Sequence, residues 1–546
     1  MMRKKTKMAW SVALSAAMAA GLLAGCGSNG GAESTSGSTA ASSAKTESSA
    51  SDTTDTSDRP TYKIATVRWT DTWPTDFLHE GVMKEIEDKM NINIDWQVYY
   101  NSDWSEQKSL LLASGDLPDA FLGSICLTQA DMAQNKSAFL DLTDLIEKDM
   151  PNLKAAFEAD PELKAVCTSR DGRIYSLPKK LPLRPKVCGD VMCINQEWLD
   201  NLGLETPKTY KELEEVLVKF ATEDADGDGD PTNEIGITNS AGSGLLSGDL
   251  RHILSPFGTM VSHDGNYMGL NGEGKPVFMP MEENYKEAVK WMRQLWEEGV
   301  VDPEYFTQDG SMQTAKVQAD GGSQVGLIFG WTADAQAGPN VNQFKTLEAV
   351  EGYDGNHYVD AATNYLDISD PDTLLKWADE FYTDLASLQT FYGMIGSQIT
   401  DNGDGTYNVD VPSDGSSLDT SAWSNSLRDF GPKYMNEDFY DKVSLPEDQG
   451  DGIKLADDAI NEKYVDTEKN CGFPMVQYTD EDLSRITAIG TDIYKYVEAQ
   501  YAHWVVDGGI DDEWDSYIDQ LKAMGIDEFL QIQTDAYNAY KENLAK

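Results

Sequence analysis

An alternation of strand and helix patterns near the start of the folded part constrains this chain more than any other feature. Strand patterns occur at 62–67, 92–98 and 119–122, with helix patterns between them at 77–90 and 103–114. This βαβαβ order predicts a parallel sheet with right-handed crossovers. In such a sheet a ligand binds beyond the carboxyl ends of the strands.

Aromatic residues gather at the predicted strand ends. Trp69 and Trp73 follow the first strand, and Tyr99, Tyr100 and Trp104 lie at the end of the second. A sugar ring has one apolar face and a rim of hydroxyls, so it is bound by an aromatic platform and a few polar groups. Core packing is the alternative for the tryptophans. Ligand contacts are predicted from Arg68, Trp69, Asn101, Trp104 and Ser124.

The rest of the chain continues as an α/β protein whose C-terminal part is helical. The further strands are predicted at 187–195, 235–238 and 325–329, and the further helices at 195–202, 209–222, 285–296, 483–497, 514–524 and 529–544. Residues 59–546 are too many for one core and suit two lobes. We place lobe 1 at about 60–180 plus 325–400, and lobe 2 at about 181–320 plus 420–546.

The N-terminus predicts export and lipid anchoring. A basic start is followed by the apolar stretch Met8–Ala24, which is too short for a comfortable membrane span and suits a signal peptide of residues 1–25. The stretch ends in Leu23-Ala24-Gly25-Cys26, which resembles a bacterial lipobox, so Cys26 is predicted to carry the lipid. An ordinary secretory signal with an incidental cysteine is the alternative. Residues 26–58 are rich in Ser, Thr, Ala and Gly and predict a flexible tether outside the cell membrane.

Charge bears on the partners of this chain, and cysteine usage on its disulfides. The net charge of -50 predicts that nucleic acid is not a partner, because such a surface repels phosphates. We favour a solvated surface that keeps an exported protein soluble as the reason for this charge. Five cysteines remain besides Cys26, without a C-x-x-C pair, so buried thiols are favoured. A Cys188–Cys193 bridge is the alternative.

An acidic loop between two predicted elements indicates a calcium site. Aspartates at positions 1, 3 and 5 and a glycine at position 6 match the start of a calcium loop, whereas position 12 is Ile235 and not the glutamate of an EF-hand. The predicted ligands are Asp224, Asp226, Asp228, the backbone carbonyl of Asp230, Asn233 and Glu234. A metal-free acidic turn is the alternative. A second Asp/Gly run, 401–405, is predicted to be a hairpin turn.

Several segments in a specific order resemble a known family. They are the lipobox, Ser114–Asp119, Gly172–Pro178, Asn195–Leu204, the acidic loop and Glu298–Glu304. Together they are similar to the family 1 extracellular solute-binding proteins of Gram-positive carbohydrate ABC importers, in particular the long LplA/LipO-like lipoproteins. The resemblance covers residues 60–546.

The resemblance implies a two-lobed periplasmic-binding-protein-like fold of class II, with hinge strands that let the lobes close on an oligosaccharide. It implies delivery of this cargo to permease subunits in the membrane, and a structural Ca²⁺ held by the acidic loop, with Thr232 as the alternative ligand to Asn233. It also implies that Trp331 stacks on the ligand. We expect a monomer.

Two other functions remain open at the level of sequence. An extracellular glycosidase or lyase would need a carboxylate pair, but so many acidic residues make any pair uninformative, and no nucleophile or zinc motif is present. A sugar-sensing surface receptor without transport would have the same sequence features. The basic run 179–186, which includes Arg184, hints at uronate-bearing cargo, with a solvated loop as its alternative.

Overall fold

A computed structural model describes residues 58–123, 125–184, 189–242, 244–262, 266–352, 364–368, 372–464 and 472–545. The strands are β1 Thr61–Arg68, β2 Asn93–Tyr100, β3 Ala120–Leu122, β4 Ser176–Lys179, β5 Val191–Asn195, β6 Ile235–Ile237, β7 Met268–Leu270, β8 Pro276–Phe278, β9 Val325–Gly330, β10 Phe344–Thr346, β11 Asn364–Ile368, β12 Ile399–Asp401, β13 Tyr407–Val409 and β14 Val443–Ser444.

Helices cover more of the chain than strands. They are α1 Gly81–Met90, α2 Asn101–Ser114, α3 Gln129–Gln134, α4 Thr143–Asp149, α5 Pro151–Ala159, α6 Pro161–Cys167, α7 Gln196–Leu202, α8 Tyr210–Thr222, α9 Gly244–Ser247, α10 Glu283–Glu297, α11 Gly310–Val317, α12 Ala333–Ala337, α13 Asp372–Asp379, α14 Asp384–Tyr392, α15 Leu418–Asn425, α16 Glu437–Tyr440, α17 Gly450–Asn461, α18 Asp480–Asp507, α19 Ile510–Met524 and α20 Ile526–Leu544.

Lobe 1 is built on a five-stranded sheet in the order β2-β1-β3-β11-β4. β1 is parallel to both β2 and β3, as the βαβαβ pattern predicts. The last five residues of β1 are all buried, which is typical of a central strand with both faces covered. β11 returns from the other lobe and pairs antiparallel with β3 and β4. The sequence pattern did not predict this antiparallel strand.

Lobe 2 is built on a four-stranded sheet in the order β10-β5-β9-β6. β5 is antiparallel to both neighbours, and β6 is parallel to β9. The helix α8 begins where the Thr209 hydroxyl accepts a hydrogen bond from Glu212 N at 3.2 Å, as predicted. Its apolar face is buried in the lobe 2 core, where the Phe220 ring packs against Gly326 so closely that a Cβ at residue 326 would overlap it.

Strand pairing corrects the predicted lobe boundaries. β9 and β10 pair with β5 and β6, so residues 325–346 belong to lobe 2 and not to lobe 1. The Trp423 and Phe430 side chains lie in the lobe 1 core, so lobe 1 also extends past residue 420. Sequence patterns give elements but not their sheet partners, which is why the boundaries were wrong.

The C-terminal helices complete the core of lobe 2. α18 begins after Thr479, whose hydroxyl accepts from Asp482 N at 3.0 Å, as the predicted cap requires. Its apolar residues Ile486, Ile489, Ile493 and Val497 are buried in that core. Among the described residues, no helix has both the length and the apolar character needed to cross a bilayer. The fold is thus the expected two-lobed α/β arrangement with a helical C-terminal part.

Candidate functional site

The carboxyl end of β1 places one predicted aromatic platform at the surface of lobe 1. Trp69 follows the last residue of β1 and is 45% exposed, an unusual exposure for so large an apolar side chain. Its ring centroid lies 6.0 Å from that of the buried Phe430. Nearby, Trp73 stacks on Trp423 with centroids 5.0 Å apart. This edge therefore offers an exposed ring that is supported from below by a packed aromatic group.

Two predicted ligand contacts are instead part of the lobe 1 core. Arg68 is 1% exposed; its guanidinium donates to the carbonyls of Trp423 and of Ser426, the latter at 3.3 Å. Burial lowers the pKa of Arg68 to about 10. Trp104 is 4% exposed and its indole N–H donates to the Cys126 carbonyl at 2.8 Å. Neither side chain presents a surface to a ligand, so both predictions are corrected.

Arg184 links the two lobes. Its Nη1 and Nη2 atoms lie 2.6 Å from carboxylate oxygens of Asp451 and Asp429, respectively. Its guanidinium also lies 4.6 Å from the ring centroid of Trp331, which directly follows β9 of lobe 2. Burial alone would raise the pKa of Asp451, but Arg184 and Arg428 hold it below its usual value. Arg184 is thus an ion-paired junction and not an unengaged cation.

Trp331 sits at the edge of the lobe 2 sheet between charged groups. It is half-buried, and Lys454 Nζ lies 4.6 Å from its ring centroid, like the Arg184 guanidinium. β5 begins beside it, because Val191 pairs with Gly330. A continuous set of neighbours therefore joins the two sheet edges, from Trp69 through residues 429–430 and Arg184 to Trp331.

A second polar group lies at the same edge of lobe 2. His252 Nε2 is 3.1 Å from a carboxylate oxygen of Asp190, and its ring stacks on Phe329 with centroids 4.8 Å apart. Burial disfavours the Asp190 charge, yet the hydrogen bond with His252 and the nearby cations lower its pKa to about 2. Asp190 precedes β5 and Phe329 lies in β9, so this group flanks Trp331.

The cations of the basic run 179–186 that the structure describes are engaged within the protein. Lys179 is 1% exposed, and burial lowers its pKa to about 8. Lys180 Nζ is paired with Asp160 at 2.6 Å, and Arg184 carries its two carboxylate partners. Lys186 lies outside the described residues. The described part of the run therefore offers no unengaged cation of the kind that the uronate prediction requires.

The structure describes some of the remaining predicted residues and not others. Asn101 is exposed at the first position of α2, next to the end of β2. Ser124 and the lipidation residue Cys26 lie outside the described residues. Cys188 does as well, whereas Cys193 and Cys167 are buried thiols, as expected.

The acidic loop brings three carboxylates together. One carboxylate oxygen from each of Asp224, Asp226 and Asp228 lies within 4.8 Å of the other two. The Asp224 carboxylate accepts from Gly229 N at 3.1 Å, and Asp226 accepts from Asp228 N at 3.0 Å. Gly229 adopts a φ of +94°, which favours glycine and permits the reversal. The loop is therefore wound so that its carboxylates converge.

Two further predicted ligands of this loop have oxygens that accept no hydrogen bond. Asn233 Oδ1 and Glu234 Oε2 are buried without a partner, although buried polar atoms are normally satisfied. The other oxygen of Glu234 accepts from Ala225 N at 2.9 Å, which fixes the carboxylate against the loop. The Asp230 carboxylate accepts from the Thr232 hydroxyl at 2.6 Å. The donor set, all oxygen, fits a hard cation such as Ca²⁺.

Several of these residues had no sequence signal. Asp451 and Lys454 lie more than 260 positions from Arg184 in the chain, and a lone Asp or Lys in an acidic chain is uninformative. His252 is likewise a single histidine outside any sequence motif. Only the tertiary structure brings these groups to the edge beside Trp331.

The comparisons with known proteins agree with this architecture. The family model described as bacterial extracellular solute-binding protein matches residues 72–384. The fructooligosaccharide ABC transporter substrate-binding protein FusA of Streptococcus pneumoniae is 31% identical over 498 residues, covering 86% of this chain and 89% of FusA. The polygalacturonan/rhamnogalacturonan-binding protein YtcQ of Bacillus subtilis is 27% identical over 51% of this chain and 53% of YtcQ.

Solved structures give the same result. FusA in complex with kestose has a TM-score of 0.73 at 29% identity, covering 88% of this chain and 100% of that chain. A FusA EF-hand mutant in complex with fructo-nystose has a TM-score of 0.73 at 28% identity, with the same coverage. An HMO-binding ABC-transporter-associated solute-binding protein of Bifidobacterium longum infantis has a TM-score of 0.75 at 26% identity, covering 88% and 99%.

The chain belongs to the bacterial extracellular solute-binding protein family. The two sheets and their joined edges give this chain the two-lobed arrangement expected of the family.

Proposed function

We propose that this protein captures an oligosaccharide outside the cell and delivers it to the permease of a carbohydrate ABC importer. The observation that carries the proposal is the agreement along 89% of FusA, a fructooligosaccharide-binding relative, together with an exposed tryptophan at the edge of lobe 1. Trp69 supplies one stacking surface for the sugar, and Trp331 and Asn101 make further contacts with it. Binding is followed by closure of the lobes, and the closed form is recognised by the permease.

The protein acts by binding without turnover. The relatives named above are substrate-binding proteins, and binding requires complementarity to the bound sugar rather than to a transition state. The charged groups beside Trp331 are paired with each other, as in Arg184 with Asp429 and Asp190 with His252. Paired groups of this kind suit the orientation of sugar hydroxyls and the support of an aromatic ring.

Cys26 anchors the protein to the outer face of the membrane. Two acyl chains on this residue give stable anchoring, and the tether that follows lets the lobes reach the permease. Replacing Cys26 by Ser should abolish palmitate labelling. The exported protein should then no longer fractionate with the membrane. Continued labelling would show that the lipid is attached elsewhere.

The acidic loop holds one structural Ca²⁺. Its support is the convergence of Asp224, Asp226 and Asp228 and the two buried oxygens of Asn233 and Glu234 that lack hydrogen-bond donors. The ion would satisfy these oxygens and neutralise the carboxylates, and so fix the loop between α8 and β6. Its role is stability of lobe 2, because the loop is held to α7 through Asn201, whose Nδ2 donates to the Ala225 carbonyl at 3.0 Å.

Isothermal titration calorimetry and thermal unfolding with a sugar panel test the binding function. The panel contains kestose, nystose, neutral human-milk-type oligosaccharides, and oligogalacturonates as the charged set. A ligand that is present at about 100 times its Kd should stabilise the protein by about 2.7 kcal/mol. Binding of none of these sugars, or hydrolysis of any of them during incubation, contradicts the proposal.

A further inference from the structure

A cavity of about 470 Å³ lies between the two lobes, and neither Trp69 nor Trp331 is among its lining residues. One wall is α3 with Met132, Ala133 and Phe139 of lobe 1, and the opposite wall includes Tyr478 and Leu483. Phe139 packs beside the buried cluster around Trp104, whereas Tyr478 and Leu483 pack on the lobe 2 core. Its volume is in the roughly 300–1,000 Å³ range of small-molecule sites.

The two walls already touch at the rim of the cavity. The Gln129 side chain of α3 donates to the Val476 carbonyl at 3.0 Å, and the Gln477 side chain donates to the Val166 carbonyl at 2.8 Å. A molecule in the cavity therefore contacts both lobes, and its binding energy favours the arrangement in which they are together.

The chemistry of the walls suits a neutral, hydroxyl-rich ring. Tyr175 and Phe139 provide aromatic surface, and the Asp480 and Glu481 carboxylates lie exposed at the rim, where they can accept hydrogen bonds from hydroxyls. Anionic groups outnumber the cations, and the cations are engaged. Lys136 is paired with Asp171 at 3.1 Å and also lies 5.0 Å from the centroid of the Tyr175 ring.

The second cation of the cavity is engaged as well. Arg170 Nη1 donates to the Asp535 carbonyl of α20 at 2.6 Å. Three carboxylates, Asp171, Asp480 and Glu481, line the cavity against the two cations, so a uronate carboxylate would meet a net negative charge that costs a neutral sugar nothing. The described part of the basic run near Arg184 is internally paired too, so both regions disfavour charged cargo.

We infer that this cavity is a subsite that takes a neutral sugar unit of the oligosaccharide and bridges the two lobes. The inference rests on the proposed function, because it assigns part of the cargo to this cavity. It adds a residue set on α3 and at the start of α18 to the tryptophans of the sheet edges, and it selects neutral over uronic oligosaccharides.

The test fills the cavity from a residue that makes no essential contact. Ala133→Trp on α3 places a large side chain in the cavity, and Gln134→Trp, on the next and exposed position outside the cavity, is the matched control. Calorimetry uses the detergent-solubilised full chain with kestose, nystose, longer fructo-oligosaccharides and oligogalacturonates. Ala133→Trp should weaken the best neutral ligand at least tenfold, and Gln134→Trp should leave it within twofold.

A crystal structure with that neutral ligand separates occupancy from indirect effects on closure. A sugar ring in the cavity supports the inference, and an empty cavity in the complex overturns it even if Ala133→Trp binds weakly. Wild-type preference for oligogalacturonates overturns the neutral assignment but leaves the proposed function standing. Wild-type binding of no sugar at all overturns both.

Discussion

Replacing Asp226 by Asn should change the stability of the protein in opposite directions with and without calcium. The carboxylate oxygens of Asp224, Asp226 and Asp228 lie within 4.8 Å of one another. At that distance two charges repel by about 0.9 kcal/mol in water, and by about 3.5 kcal/mol at the effective dielectric constant of a protein surface. Asp226 takes part in two of the three pairs, so its neutralisation relieves about 2 kcal/mol or more when no cation is present.

The substitution keeps the local backbone contact. Asn retains the Oδ1 atom that accepts from Asp228 N at 3.0 Å, so the turn itself should persist. In saturating calcium the sign reverses, because an amide is a weaker and uncharged ligand. Calcium at about 1,000 times its Kd would stabilise the wild-type chain by about 4.1 kcal/mol. Most of this is lost in the variant, which outweighs the roughly 2 kcal/mol of relieved repulsion.

Urea unfolding followed by tryptophan fluorescence measures both signs, in millimolar calcium and in chelator. Asp404→Asn in the 401–405 turn is the matched control, since Asp404 also accepts a backbone N–H, from Thr406 at 3.0 Å, and the described residues show no carboxylate trio around it. The control should show no calcium-dependent change. An equal loss of stability for Asp226→Asn in both conditions would refute the reasoning, because it would show a structural carboxylate and no ion.

Three further substitutions test other parts of the fold and site. Burial raises the pKa of Glu87 to about 7, so the stability that its proton contributes is fully present below about pH 4.5 and is lost as the pH rises through 7. Glu87→Gln should therefore be about 1–3 kcal/mol more stable than wild type in urea unfolding at pH 8 and equally stable near pH 4. A difference that does not depend on pH would contradict this. Trp69→Ala should lose oligosaccharide affinity in calorimetry and cost about 1–2 kcal/mol in urea unfolding, since the ring is 45% exposed and otherwise packs near Phe430. Unchanged affinity would remove Trp69 from the site. Asp451→Asn should cost about 3–5 kcal/mol in urea unfolding, because two arginines lose a fully buried counter-charge, and a cost below about 1 kcal/mol would show that water compensates them.

The strand ends illustrate where sequence reasoning about the site succeeds and where it fails. The end of β1 was located to within one residue, because alternation and length identify a strand. Which side chains at that end face outward was not identified. Arg68 is buried under residues 423–426, which come from far along the chain, whereas the neighbouring Trp69 stays exposed. Trp104 is buried against the segment around Cys126.

The basic run shows the same limit for charge. Lysines and arginines that are close in sequence suggested a positive surface, but Lys180 and Arg184 each have carboxylate partners, and Lys179 is buried. The partners Asp429 and Asp451 lie about 250 positions away in the chain, so their pairing could not be inferred from spacing.

By itself, the sequence determined the features that arise from local chemistry. The helix caps at Thr209 and Thr479 and the winding of the acidic loop each depend on residues within about a dozen positions of one another. Only the tertiary structure decided which lobe receives β9 and β10, which cations are engaged, and that α3 and the start of α18 enclose a cavity. These outcomes depend on long-range burial and pairing, whose energies are set by partners that the local sequence does not contain.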